Sequence, residues 1–209
     1  MSSLRQTFEA RPRKSWLLAV LATALLPGRA EAHLVNTGFG PFYDGISHLF
    51  VTAPDILVVV ALGMLAGLRG KAASRGTLLT ITVAWSIGGL FGLVLAPTIV
   101  WGAATTASFL LLGVLLALDR DLSRSALVAL AVTVGLIHGF LNGAESAASG
   151  IGLVGLAGSV SALAIMATLI TALAVTFADG AARIALRVAG SWIAAIGILM
   201  LGWMLRPGA

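Results

Sequence analysis

The chain predicts an all-α, polytopic membrane helix bundle of about six transmembrane helices behind a cleaved N-terminal signal peptide, and three observations carry that reading. Its 209 residues are 59% hydrophobic and only 10% charged, with a mean hydropathy of +1.04, which is more apolar surface than a water-soluble domain of this length can bury. Six apolar runs bounded by Gly, Pro or charge are each long enough to cross ~30 Å of hydrocarbon as a helix. The loop cations fall on alternate connections. A formal charge of +5 divided among such short clusters reports membrane orientation and argues against a nucleic-acid partner. With no cysteine, neither disulfides nor thiolate ligands are available.

At the N-terminus, Arg5, Arg11, Arg13 and Lys14 precede a short apolar core from Trp16 to Leu26, and Pro27 and Gly28 break it ahead of Ala30-Glu31-Ala32. That is the layout of a secretory signal over residues 1–32, and it makes His33 the first residue of the mature chain. The six runs that follow are 43–67, 77–95, 98–118, 126–147, 151–177 and 184–205, forming a single transmembrane helical domain over 33–209. Arg69, Lys71 and Arg75 follow the first run, Arg120 and Arg124 the third, and Arg183 and Arg187 the fifth, whereas the connections after the second and fourth carry no Lys or Arg. The positive-inside rule assigns that side to the cytoplasm and places both mature termini outside it. Glycines at helical spacing, Gly63 and Gly67, Gly88 and Gly92, and Gly135, Gly139 and Gly143, let helix backbones approach closely in lipid.

The fourth run carries the most informative stretch, LIHGFLNGAESA from Leu136 to Ala147. His138, Asn142 and Glu145 follow i, i+4, i+7 spacing and share one helix face. Ionisable groups in hydrocarbon are costly enough to mark a functional site. The natural partner of that face is the first run, where Asp44 and His48 are four apart and Asp55 lies seven further on. Pro54 makes 51–54 a kink or a short unwound stretch, with Asp55 in the first turn of the resumed helix. Because the two runs are antiparallel, their polar residues match in depth: an outer tier of His33, Asp44, His48, Asn142 and Glu145, and an inner tier of Asp55 and His138. Nitrogen and oxygen donors without thiolate suit a divalent transition metal ion, with nickel, cobalt, zinc and copper as candidates.

The main metal candidates are therefore His33, His48, Asp55, His138 and Glu145, with Asp44 and Asn142 secondary; Asp44 reads first as an interfacial helix cap. Trp85, Trp101, Trp192 and Trp203 read as belt or packing residues, and Asp119-Arg120-Asp121 as a solvated cytoplasmic turn. The sequence contains no nucleophile–base pair, HExxH motif or glycine-rich phosphate loop, so no catalytic residue is expected and an enzyme is disfavoured.

At these residues the chain resembles the HupE/UreJ family of membrane proteins, associated with hydrogenase and urease operons and regarded as nickel or cobalt permeases. The family's first transmembrane segment carries a histidine followed by an Asp-His pair ahead of a Leu-rich run, and a later one carries HG-x-x-HG-x-E. His48 matches the first histidine and Asp55 the aspartate, while Ile56 stands in place of the paired histidine. His138, Gly139, Gly143 and Glu145 match the later pattern, with Asn142 in place of its second histidine. A signal peptide followed by a histidine and the Thr37-Gly38-Phe39-Gly40 run is also similar. The resemblance implies a nickel-type permease of the bacterial inner membrane with a periplasmic mature N-terminus. The alternative is a membrane-anchored, periplasm-facing metal-binding protein serving metalloenzyme maturation proteins without transport.

Overall fold

A computed structural model describes residues 36–95 and 101–206; the signal peptide expected over 1–32 and the candidate ligand His33 lie outside these described residues. The described residues form helices α1 (Pro41–Val51), α2 (Ala53–Leu68), α3 (Lys71–Leu95), α4 (Gly102–Ala117), α5 (Arg124–Ala148), α6 (Gly152–Thr176) and α7 (Gly180–Met204), with no strand among them. The chain is a multi-pass helical membrane protein.

Four helices, α3, α5, α6 and α7, are each 25 residues long and apolar enough to cross a membrane. A fifth span arises if α1 and α2 count as one broken element, bent by 74°. The expected six are thus not all realised as continuous spans. The first run divides at Thr52, whose extended backbone is both the C-cap of α1 and the N-cap of α2. Pro54 sits in the first turn of α2, where a missing N–H leaves no helical bond unmade. The carbonyl of His48 takes both the amide and the hydroxyl of Thr52. The third run yields α4, whose 16 residues rise ~24 Å at 1.5 Å per residue, short of the hydrocarbon thickness. Three other helices begin before their apolar runs, at Lys71, Arg124 and Gly180, because long cationic side chains reach back to the interface while their backbone stays helical.

Close approach of backbones arranges the bundle. On α5, a Cβ at Gly135, Gly139 or Gly143 would meet Ala84, Trp85 or Gly89 of α3, and reciprocally Gly88 and Gly92 lie against the α5 backbone at Leu136, Phe140 and Ala144. The glycine row therefore faces the second run, and the polar face of α5 is left for other helices. Gly45 and Gly158 do the same for the crossing of α1 with α6. Helix α4 packs along α7, and α2 runs through the middle, touching every other described helix. Its Val58, Leu62 and Leu65 are buried with Trp85, Phe109, Leu116 and Leu127 in the core.

The connections after α2, α4 and α6 meet at one end. Arg183 holds Asp119 in a two-point contact at 2.6 and 2.9 Å, and Arg69 lies 3.5 Å from Asp119 and 3.3 Å from Asp121. Arg69 also donates to the carbonyls of Asp119 and Arg120. Asp119 is not the solvated turn residue expected: its side chain is 18% exposed against 94% for Asp121, and its φ of 51° is a left-handed conformation that costs a non-glycine residue energy. Hydrogen bonds from Arg183, with the nearby Arg69 and Arg187 charges, hold the Asp119 carboxyl below the usual range.

Candidate functional site

The polar face of α5 takes a partner from each of four other helices. Nearest the end opposite the arginine cluster, Glu145 Oε2 lies 2.5 Å from His48 Nε2 of α1. His48 is largely buried, but the Glu145 side chain remains 48% exposed, so the pair is reachable from outside the bundle. One turn deeper, Asn142 meets Ser159 of α6 at 2.7 Å and is fully enclosed. Another turn on, His138 Nδ1 lies 2.7 Å from Asp55 Oδ1 of α2, and His138 Nε2 lies 2.8 Å from Ser108 Oγ of α4. From Glu145 to His138 the helical rise is ~10 Å.

Local structure accounts for each placement. The break at Thr52 swings α2 so that Asp55, in its first turn, points at α5 while His48 stays on α1. A continuous helix would have carried both along one straight face. Trp85 of α3, fully buried, stacks on the His138 ring with centroids 5.6 Å apart. It is a packing residue, as expected, but what it packs is the site.

The inner array has a definite hydrogen-bond logic. Ser108 has one hydroxyl proton and also lies 2.7 Å from the Thr105 carbonyl, an acceptor only. When that proton goes to Thr105, Ser108 can accept from His138 Nε2–H; when it turns to the ring, Ser108 donates to Nε2. Both imidazole nitrogens are engaged, Nδ1 by Asp55 and Nε2 by Ser108. A metal ion can reach an imidazole nitrogen only by displacing a proton or a hydrogen bond.

The expected tiers assemble only in part. Asp55 and His138 meet as the inner tier, and His48 and Glu145 meet as the outer. Asp44 is not a helix cap: Gly40 occupies that position, and Asp44 accepts from the amide and hydroxyl of Thr37, both at 2.7 Å, tying the preceding loop to α1. Asn142 pairs with neither tier but lies between them. Among the described residues no group of three or more His, Cys, Asp or Glu side chains could hold a metal ion. Sequence reasoning missed Ser108 and Ser159. Neutral hydroxyls in apolar helices are common, and only the contacts across helices distinguish these two.

A family model described as HupE / UreJ protein matches residues 21–200. No curated protein matches the chain, and no solved structure does.

Proposed function

The chain belongs to the HupE/UreJ family, and from that premise we propose that it is a permease for a divalent transition metal, nickel before cobalt, zinc or copper. The family is one of metal uptake and accessory proteins and not of enzymes. The observation that carries the permease reading is the pair of imidazole–carboxylate contacts on one face of α5, His48 with Glu145 and His138 with Asp55. Each offers one nitrogen and one carboxylate, with water completing the ion's shell. Conduction needs sites favourable enough to enter and weak enough to leave, and two successive two-ligand sites meet that need better than one closed cage.

The arginine-rich end faces the cytoplasm by the positive-inside rule. Glu145 and His48 then open to the periplasm and capture the ion, while Asp55 and His138 receive it deeper. In this orientation the inner pair serves transport, whereas a periplasm-facing binder or maturation accessory needs only the outer pair. Nickel uptake by proteoliposomes holding the purified protein, with cobalt, zinc and copper run in parallel, tests the proposal. Saturable flux of at least one of these metals is expected. Background flux for all four, with metal still bound at the outer pair, would favour the accessory role.

A further inference from the structure

His138 is wholly buried, and its ring is held by Asp55 Oδ1 at 2.7 Å from Nδ1, by Ser108 Oγ at 2.8 Å from Nε2 and by Trp85 stacked on one face. A neutral imidazole carries one N–H and one lone pair, so when one nitrogen receives a metal ion the other keeps the proton. Asp55, the second ligand of the inner pair, stands beside Nδ1. An ion shared by the two residues therefore takes the Nδ1 lone pair and leaves the proton on Nε2.

A buried N–H without an acceptor is costly, and the group within reach of Nε2 is Ser108. A serine hydroxyl accepts there when its own proton goes elsewhere, and the Thr105 carbonyl, 2.7 Å from Ser108 Oγ, is placed to take it. Thr105 lies one turn back on α4, so the helix itself fixes this last acceptor. Nε2–H, the Ser108 hydroxyl and the Thr105 carbonyl then form a relay in which each donor meets one acceptor. With the hydroxyl turned to the ring instead, Ser108 donates to Nε2 and the ring proton sits on Nδ1, facing Asp55. The first setting suits the inner pair with an ion bound, and the second suits it without one.

We propose that Ser108 is a positioning residue for the inner pair: by accepting from His138 Nε2–H it fixes the tautomer that presents Nδ1, beside Asp55, to the metal ion. The inference rests on the permease reading, and it gives the short helix α4 a part in the site. An acceptor on the far nitrogen commonly orients a metal-bound histidine, and its loss typically costs roughly 10–100-fold in metal affinity or activity.

Ser108→Ala, Ser108→Thr and Ser108→Val separate the hydroxyl from bulk, each checked for insertion and monodispersity. Threonine keeps a hydroxyl that bonds a carbonyl one turn back, and valine has the same shape without it. Ser108 borders a groove of about 570 Å³ between α4 and α5, which leaves room for the added methyl group. Nickel flux is measured in proteoliposomes, and nitrogen NMR spectra of the histidine-labelled, zinc-loaded protein report which ring nitrogen carries the proton, with the His138 signals assigned by their loss in His138→Gln. Ser108→Ala and Ser108→Val should lower flux at subsaturating nickel roughly tenfold, and Ser108→Thr should keep most of it. In the spectra, wild type and Ser108→Thr should show His138 metal-bound at Nδ1 and protonated at Nε2, a signature lost in Ser108→Ala and Ser108→Val. Wild-type flux in Ser108→Val would overturn the role of Ser108 while leaving the permease reading intact. Equal losses in Ser108→Thr and Ser108→Val would also overturn it, since bulk rather than the hydroxyl would then be decisive. A wild-type spectrum with zinc at Nε2 would do the same, because Ser108 would then stand at the ligating nitrogen. Absence of flux from the wild-type protein would overturn the permease reading and, with it, the role of Ser108 in transport.

Discussion

Two aspartates in this molecule are held by nitrogen bases at nearly the same distance, Asp55 by His138 at 2.7 Å and Asp119 by Arg183 at 2.6 Å. The similarity ends with the chemistry of the base. Arginine stays protonated and has no lone pair to offer, so its contact with Asp119 is a permanent fastening of the connections between helices. Histidine can give up a proton and then present a lone pair to a metal. A similar contact distance therefore joins a fixture at one end of the bundle and, within it, two side chains proposed as exchangeable ligands. The Asp119 side chain also keeps 18% of its surface exposed, whereas the His138–Asp55 pair is enclosed by Trp85, Ser108 and the α2 break.

The sharpest way to break this comparison is to remove one member of each pair. His138→Ala and Asp55→Ala should each take metal flux to background, because among the described residues no other His, Asp or Glu side chain joins those two at that depth. Removing one partner of a buried pair also destabilises the fold, by roughly 3–5 kcal/mol. His138→Gln, which keeps a polar side chain but offers no imidazole, separates ligation from folding and should likewise fail to transport. Wild-type flux in any of these folded variants would remove the inner pair from the path.

Asp119→Ala belongs to the other side of the comparison. It should lower thermal stability by about 1–2 kcal/mol, the scale of charge-assisted contacts that are partly solvated, and leave the half-saturation concentration for metal unchanged. A thermal melt in detergent beside a flux titration checks it. A large change in metal affinity with unaltered melting would mean that the arginine cluster is part of the site.

The two regions also differ in how far the sequence discloses them. The polar face of α5 is legible because i, i+4, i+7 spacing is a local property of one helix, and Asp55 and His48 are legible as its partners because few ionisable residues occur in the apolar runs. The break before Asp55 is announced by Pro54, but its 74° angle depends on how α1 and α2 settle against α6. Ser108 and Ser159 are chosen by tertiary contact alone, and nothing in their neighbourhoods sets them apart from other hydroxyls in lipid-spanning helices. Asp119 is misread for a related reason. A charged residue between apolar runs looks solvated until Arg183, 64 positions away, closes over it. The glycine row is legible as a close-packing surface, yet its partner is the adjacent antiparallel helix α3, a choice that spacing cannot specify.

A milder contrast separates the two pairs of the column itself. Glu145→Gln should raise the half-saturation concentration severalfold while leaving maximal flux near wild type, since His48 remains to receive the ion and the inner pair is untouched. Equal loss of both parameters would place Glu145 in the rate-limiting step instead of in capture.

The smallest effect expected concerns acid. Asp119 is held below its ordinary value of 3.8, first by hydrogen bonds from Arg183. The folded protein therefore keeps this carboxylate ionised under conditions in which the unfolded chain protonates it. The resulting stabilisation is fully present above the ordinary carboxylate value and is lost as pH falls through the lower, folded one. The melting temperatures of the wild type and Asp119→Asn should differ at neutral pH, and the difference should shrink as pH falls below 3.8. A difference that stays constant through that range would show that the arginine contacts do not depend on the charge of Asp119. The cluster would then be a hydrogen-bonded turn and no longer a counterpart to the Asp55–His138 pair.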